Sequence, residues 1–263
     1  MRFYIPECLV PLIFPTISSS TYMNYFNDFL NILLDVYKFF SIPEDTSSHQ
    51  IEICGHKVSL VIDCAEQLIV KSLTEALEKK GFCGKYNDNT ITLLLGSSVK
   101  TGEIWVKSKS YWGSKNDQAV ANSITFKEMI PADEKILADK GFKGEIYLTK
   151  FHKQHGFSLS TYQEDYNKII DKYRIIIENV IGYIKNKYMI CSAKLRFKTT
   201  SGEMEKRESE RLLNLHSAIW HVACGLFNDF GKVRDNVELI KEVIIYLILI
   251  FLPLIVGSSK KRC

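Results

Sequence analysis

Three carboxylates are spaced so that one sheet and one helix can bring them together. Asp63 closes the β-forming run Lys57–Asp63 (KVSLVID), Asp139 follows the apolar run Lys135–Ala138, and Glu178 sits inside a long helical stretch. If the two strands are sheet neighbours, both aspartates emerge at one rim, and a helix packed on that sheet carries Glu178 to meet them. Like charges a few ångströms apart raise one another's pKa, so such a cluster calls for a cation, and hard oxygen ligands favour Mg²⁺ or Mn²⁺. Two such ions about 4 Å apart would hold the attacking water and the leaving oxygen of a phosphodiester, which is nuclease and strand-transfer chemistry. Spacing alone does not single these residues out: the chain has 30 Asp and Glu, which offer many triples, most of them on solvated surfaces.

The elements that must position the acids follow from hydrophobic periodicity. Tyr22 to Phe40 repeats large apolar residues at helical spacing, opened by the polar cluster Ser18 to Thr21 and closed by Pro43. From Ile51 the texture becomes β, with strands expected at Lys57–Asp63, Thr90–Leu95 and Glu103–Ser108. Turn signals at Asn87-Asp88-Asn89 and Lys100-Thr101-Gly102 separate them and predict an antiparallel meander. Asp117–Ile130 is expected to be helical, before the strand Lys135–Ala138, which gives the order β-β-β-α-β. Gln163 to Met189 then forms a long helix with an apolar face of Ile170, Tyr173, Ile177, Val180, Ile181 and Ile184, and Ser209 to Phe230 a second amphipathic one. The mixed-sign run Glu203 to Arg211 reads as an exposed linker-helix surface. The expected class is α/β, a mixed sheet flanked by helices.

Composition bounds the alternatives. The chain has 263 residues, 46% hydrophobic and 24% charged, with 6 Pro and 14 Gly, which excludes collagen, a disordered tail protein and a multi-span transporter. The net charge of +4 is too mild to argue for a nucleic-acid partner, but Lys140 to Arg211 holds 15 Lys and Arg against 9 Asp and Glu, so positive charge gathers on one half. The 7 cysteines are scattered and never form a Cys-x-x-Cys pair, which reads as reduced thiols in an intracellular protein. Pro6, Pro11 and Pro15 interrupt the N-terminal apolar residues, arguing against a signal peptide. Val243 to Val256 is an apolar run of 14 residues, short of the roughly 20 that a spanning helix needs, so a buried tail is preferred over a membrane tail anchor.

The local text adds what spacing lacks. Val61-Ile62-Asp63-Cys64-Ala65-Glu66, Tyr86-Asn87-Asp88-Asn89-Thr90, Ser110-Tyr111-Trp112-Gly113-Ser114-Lys115-Asn116-Asp117, Leu137-Ala138-Asp139-Lys140-Gly141-Phe142 and Arg174-Ile175-Ile176-Ile177-Glu178, continuing through Gly182 to Lys185, stand in order along the chain. As a set, covering roughly residues 55–230, they resemble the DDE-type transposases of the Harbinger (PIF) group and their insertion-sequence relatives. The resemblance implies an RNase H-like nuclease fold and DNA cleavage with strand transfer at a divalent metal, Mg²⁺ or Mn²⁺. It makes Asp63, Asp139 and Glu178 catalytic and metal-binding, with Asp117 as an additional ligand. Thr92 and Asn179 depart from the family pattern, where Lys and Arg are frequent.

Further expectations follow from that resemblance. Arg174 and Glu178, four apart, share a helix face where the cation orients the carboxylate, and Gly141 lets the chain turn sharply after Asp139. Arg174, Lys185 and Lys187 are expected at the DNA backbone, and Lys194, Arg196 and Lys198 continue the same basic series, with a solvated helix face as the alternative for the series from Lys185 to Lys198. Tyr111 and Trp112 read as core packing rather than base stacking, and neither His152 with His155 nor His216 with His221 has zinc-helix spacing. The expected organisation is a truncated helix-turn-helix region over 1–50, a nuclease domain over 51–237 and an apolar tail over 238–263. Partners implied are DNA element termini and a separate DNA-binding protein, with an oligomer allowed. The implied compartment is the nucleus, with a membrane tail anchor through residues 243–256 as the alternative. The competing function is a catalytically inactive, domesticated relic that binds DNA or protein.

Overall fold

The computed structural model describes residues 18–37, 40–70, 75–153, 158–195 and 203–231. The apolar run over 243–256, the expected basic residues Arg196 and Lys198, and His155 lie outside the described residues. Among those described, no helix is long and apolar enough to cross a membrane. The chain falls into two compact units, Met1–Gly225 and Leu226–Cys263; the sheet and all the acids discussed below belong to the first.

The helices are α1 (Ser19–Val36), α2 (Glu75–Gly81), α3 (Asp117–Ala121), α4 (Phe126–Met129), α5 (Thr161–Lys187) and α6 (Glu203–Phe230). The strands are β1 (Ile51–Ile53), β2 (His56–Leu68), β3 (Phe82–Cys83), β4 (Asp88–Ser98), β5 (Ile104–Lys107), β6 (Tyr111–Trp112), β7 (Glu134–Leu137) and β8 (Tyr147–Leu148). They form one mixed sheet in the order β3-β4-β2-β7-β8, with β1 on β2 and with β5 and β6 on β4. The meander is antiparallel, from Leu60↔Ser98 to Leu68↔Thr90 between β2 and β4, and Gly96↔Val106 between β4 and β5. β7 returns beside β2 in parallel, pairing Val61 with Leu137. The hairpin joining β1 to β2 turns on Cys54 and Gly55 at φ 50° and 80°, the left-handed pair that matches strand twist.

Both faces of β2 are covered. Leu60, Ile62 and Cys64 on one face pack with Val120, Ala121 and Phe126 of the short helices and with Ile136, Ala138 and Phe142. Asp63 and Gln67, two and four residues apart from Ala65 and Asp63 in the same alternation, belong to the other face, toward α5 and α6. Glu134 is buried at the start of β7. Its carboxylate accepts from the hydroxyls of Thr46 and Ser59 and from Gln50 Nε2 at 2.7 Å, which fastens the segment before β1 to the sheet.

Three expectations are corrected. β2 does not end at Asp63 but runs on to Leu68, because β4 keeps pairing it through Leu68↔Thr90 with Ala65 and Gln67 buried. What ends near Asp63 is the neighbouring β7, and that is where the rim forms. The helix expected over Asp117–Ile130 is two short ones: Ser123 bonds the Val120 carbonyl through both its hydroxyl and its N–H, and that local competition breaks the helix. α1 stops at Val36, well before Pro43, where the Tyr37 carbonyl accepts a hydrogen bond from His221 instead of continuing the helix.

Candidate active site

Two strands and one helix build the acidic cluster. The parallel register Val61↔Leu137, carried forward two residues, sets Asp63 beside Asp139 at the carboxyl end of β7. In open α/β sheets the crevice beyond the carboxyl ends of parallel strands is where ligands bind. α5 crosses this rim. It starts at a capping box, with Ser160 Oγ accepting from Gln163 N and Gln163 reciprocating to the Ser160 N–H, and buries Ile170, Arg174, Ile177, Val180, Ile181 and Ile184 along one stripe. Arg174 is the charged member of that stripe, and Glu178 follows one turn later.

The guanidinium of Arg174 is where the acids meet. Nη1 is 3.0 Å from Asp139 Oδ1, Nη2 is 3.2 Å from Glu178 Oε1 and 3.9 Å from Asp63 Oδ2, and Nη1 is 4.0 Å from Asp171 Oδ1. Its side chain is 9% exposed, against 23% for Asp63, 34% for Asp139 and 52% for Glu178. Burial drives Asp63 up from 3.8 to about 6; the Cys64 N–H, which donates to Oδ1 at 2.8 Å, and Arg174 pull the other way, while Asp139 adds to the rise. The expected helix-face pairing of Arg174 with Glu178 is present. The guanidinium serves both aspartates as well, so a DNA contact from Arg174 requires it to leave these carboxylates.

The remaining candidates lie elsewhere. The Asp117 carboxylate accepts from the Cys64 thiol, whose side chain belongs to the opposite face of β2 from Asp63; burial and Asp117 together push that thiol well up. Asp63, Asp139 and Glu178 are brought together, and Asp117 is not brought to them. Lys185 donates to the Glu66 carbonyl at 2.7 Å, and burial lowers its pKa against the pull of Glu66. Lys187 is exposed. Among the described residues no three acidic, histidine or cysteine side chains are disposed to hold a metal as they stand.

Nearby residues divide into scaffold and missed neighbours. Tyr111 and Trp112 pair as β6 with Thr92 and Ile91; Trp112 Nε1 donates to Ser209 at 3.1 Å, and Lys115 lies 3.4 Å over the Tyr111 ring, so both aromatics pack. The chain does turn after Asp139, closed by Phe142 N donating to the Asp139 carbonyl at 3.0 Å with Gly141 inside the turn, but Gly141 carries no positive φ and a side chain there would meet open space, so the turn does not require a glycine; the positive-φ glycine nearby is Gly144, at φ 132°. The residue missed from sequence is Asp171, which pairs with both Lys150 and Arg174. It stands three positions before Arg174, and that helical spacing was the available signal.

Comparisons with known proteins converge on this region. A probable transposase for insertion sequence element IS702 from Microchaete diplosiphon is 29% identical over 156 residues, covering 53% of this chain and 54% of the relative. The chain thus spans about half the length of the curated relative it matches. No solved structure gave a significant match. Residues 62–228, more than half of the chain and inclusive of Asp63, Asp139 and Glu178, match the DDE superfamily endonuclease family, and the chain belongs to that family.

Proposed function

We propose that this chain is a transposase-type DDE nuclease that cleaves and transfers DNA phosphodiesters at a divalent metal held by Asp63, Asp139 and Glu178. The observation that carries the reading is the shared cation. Three carboxylates from two strands and one helix converge on a single guanidinium at 3.9, 3.0 and 3.2 Å. Every donor is a carboxylate oxygen, the set that suits Mg²⁺ or Mn²⁺, and a doubly charged ion offsets the burial that holds Asp63 partly protonated. Such a metal, when bound, supplies Lewis-acid stabilisation of phosphate oxygens and activates water near neutral pH.

The chain's own residues do the positioning. Asp63 and Asp139 project from adjacent parallel strands, so the backbone sets their separation, and Glu178, more exposed on α5, completes the set from the solvent side. Lys187, and Lys185 once freed from Glu66, neutralise backbone phosphates, each adding to the salt dependence of binding. An RNase H-like fold is supported by the antiparallel β2, β4 and β5 followed by β7 parallel to β2. The motif order supports a Harbinger-like branch with DNA element ends as substrate and residues 51–237 as the nuclease domain.

Nicking of supercoiled plasmid in Mn²⁺ tests the reading. The expected result is nicking by the wild type that is lost in Asp139→Asn at unchanged circular dichroism. Metal-independent DNA binding without nicking would make the chain a binding module instead.

A further inference from the structure

Arg174 is buried at a position where a guanidinium is costly unless fully paired, and its Nε has no hydrogen-bond partner. Its neighbours on the α5 stripe are all aliphatic, Ile170, Ile177, Val180, Ile181 and Ile184. What holds it there is the ring of acids, and what lets those acids crowd together is Arg174. A divalent ion needs the same oxygens, and a cation 3.0 Å from Asp139 repels a second cation bound to it. The two therefore compete for the cluster.

We infer that Arg174 is an internal counter-cation, and that a divalent metal loads the Asp63, Asp139 and Glu178 site by exchanging with its guanidinium. The inference rests on the metal-site reading above and adds how the site is filled. Asp171 gives the displaced group somewhere to go. It lies one turn earlier on α5, is 52% exposed, and is already 4.0 Å from Nη1, so the side chain pivots along its own helix to share that carboxylate with Lys150 instead of leaving a charge unpaired. Asp171 thereby acts as a positioning residue through Arg174. The apoprotein keeps a neutralised rim without metal, at the expense of metal affinity.

Full-length protein decides the matter by two measurements. Mn²⁺ calorimetry compares wild type, Arg174→Gln and Asp139→Asn, and phenylglyoxal labelling of the wild type, mapped by mass spectrometry, follows Arg174 in chelator and in Mn²⁺. Exchange predicts that Arg174→Gln binds Mn²⁺ at least about five-fold more tightly, the lower end of ordinary coupling between linked sites. It also predicts that Arg174 reacts slowly in chelator and faster in Mn²⁺. Mn²⁺ bound only by Arg174→Gln supports the exchange in its strongest form. Mn²⁺ bound by the wild type and lost in Asp139→Asn, but not tightened in Arg174→Gln, overturns the exchange and leaves the metal site standing. Binding by none of the proteins, or binding that survives Asp139→Asn, overturns both. If Arg174→Gln does not fold, the labelling decides alone, and a rate unchanged or slowed by Mn²⁺ refutes the exchange.

Discussion

Trp220 Nε1 donates a 3.0 Å hydrogen bond to Gln67 Oε1, joining α6 to β2 four residues beyond Asp63 on the same face of the strand. The Gln67 amide nitrogen in turn donates to the carbonyls of Ile190 at 2.6 Å and Ala193 at 2.7 Å, just past α5. One buried side chain therefore ties the two long helices to the strand that carries the first acid. The residues of β2 beyond Asp63 thus fasten α6 and the segment just past α5, the helix that carries Glu178.

Gln67→Leu removes all three bonds and leaves a buried indole N–H and two part-buried carbonyls without these partners. Each such group costs about 1–3 kcal/mol, and the three are not additive, so a loss of about 3 kcal/mol is expected. Urea denaturation reads it as a lower midpoint at unchanged slope. An unchanged midpoint would mean that the helices are held elsewhere.

Asp63 makes the metal-free protein less stable as pH rises. Its folded-state pKa of about 6 lies above the ordinary 3.8, so the folded state binds more protons between those values and stability falls across that window. Asp63→Asn removes the titration. Above pH 6 the variant is expected to be more stable than wild type by up to about 3 kcal/mol, with parity near pH 4. Thermal melts in chelator at pH 4.5 and 7.5 check the widening gap, and a variant less stable at both values refutes it.

His216 works against Asp63 over nearly the same range. It is fully buried, its Nδ1 is 2.7 Å from Ser110 Oγ, and burial, helped by Lys107 and Lys185, pushes its pKa from 6.5 down to about 3. The unfolded chain therefore takes up the proton first, and stability falls as pH drops from about 6.5 toward 3. His216→Gln, which keeps a polar partner for Ser110, is expected to flatten the acid limb of the stability profile between pH 6 and 4. An acid limb as steep as that of the wild type would assign the loss to other groups.

Much of this arrangement was legible locally. The meander, the strand before Asp139 and the Arg174 to Glu178 helix each announce themselves by period, because side-chain alternation and the helical repeat are written in neighbouring residues. The continuation of β2 through Cys64 to Leu68 was not, since its proof is the ladder to β4, far along the chain. The break at Ser123 was hidden in a window that reads as helix on average. Asp171 and Glu178 meet Arg174 at helical spacings that can be read locally, but the arrival of Asp139 and Asp63 at the same guanidinium depends on distances between elements that no spacing encodes. Sequence expected Arg174 both beside Glu178 and at the DNA backbone; its pairing with Glu178 was legible from the helical spacing, but its burial among the acids was not, because a buried arginine and an exposed one look alike in text.

Gly113 fastens the chain that leaves β6 to the sheet. Its N–H donates to the Thr90 carbonyl at 2.9 Å, and the next residue, Ser114, donates to the Lys80 carbonyl at 3.0 Å, so the chain leaving β6 lies flat between β4 and α2. A Cβ at 113 would stand 2.7 Å from the Gly81 carbonyl and 3.0 Å from that of Thr90, and would overlap the Thr90 hydroxyl. Backbone on two sides leaves no room to yield, so Gly113→Ala is expected to cost about 1–3 kcal/mol. The strain falls first on β6, whose Trp112 packs with Ile69, Leu77, Ile91, Leu195 and Leu212. A lower melting temperature together with a weakened near-ultraviolet dichroism of tryptophan is therefore the expected outcome. Asp63 and Asp139 sit on β2 and at the end of β7, away from β6, so any Mn²⁺ binding should survive in the folded fraction; its loss there would mean that β6 shapes the acidic rim directly.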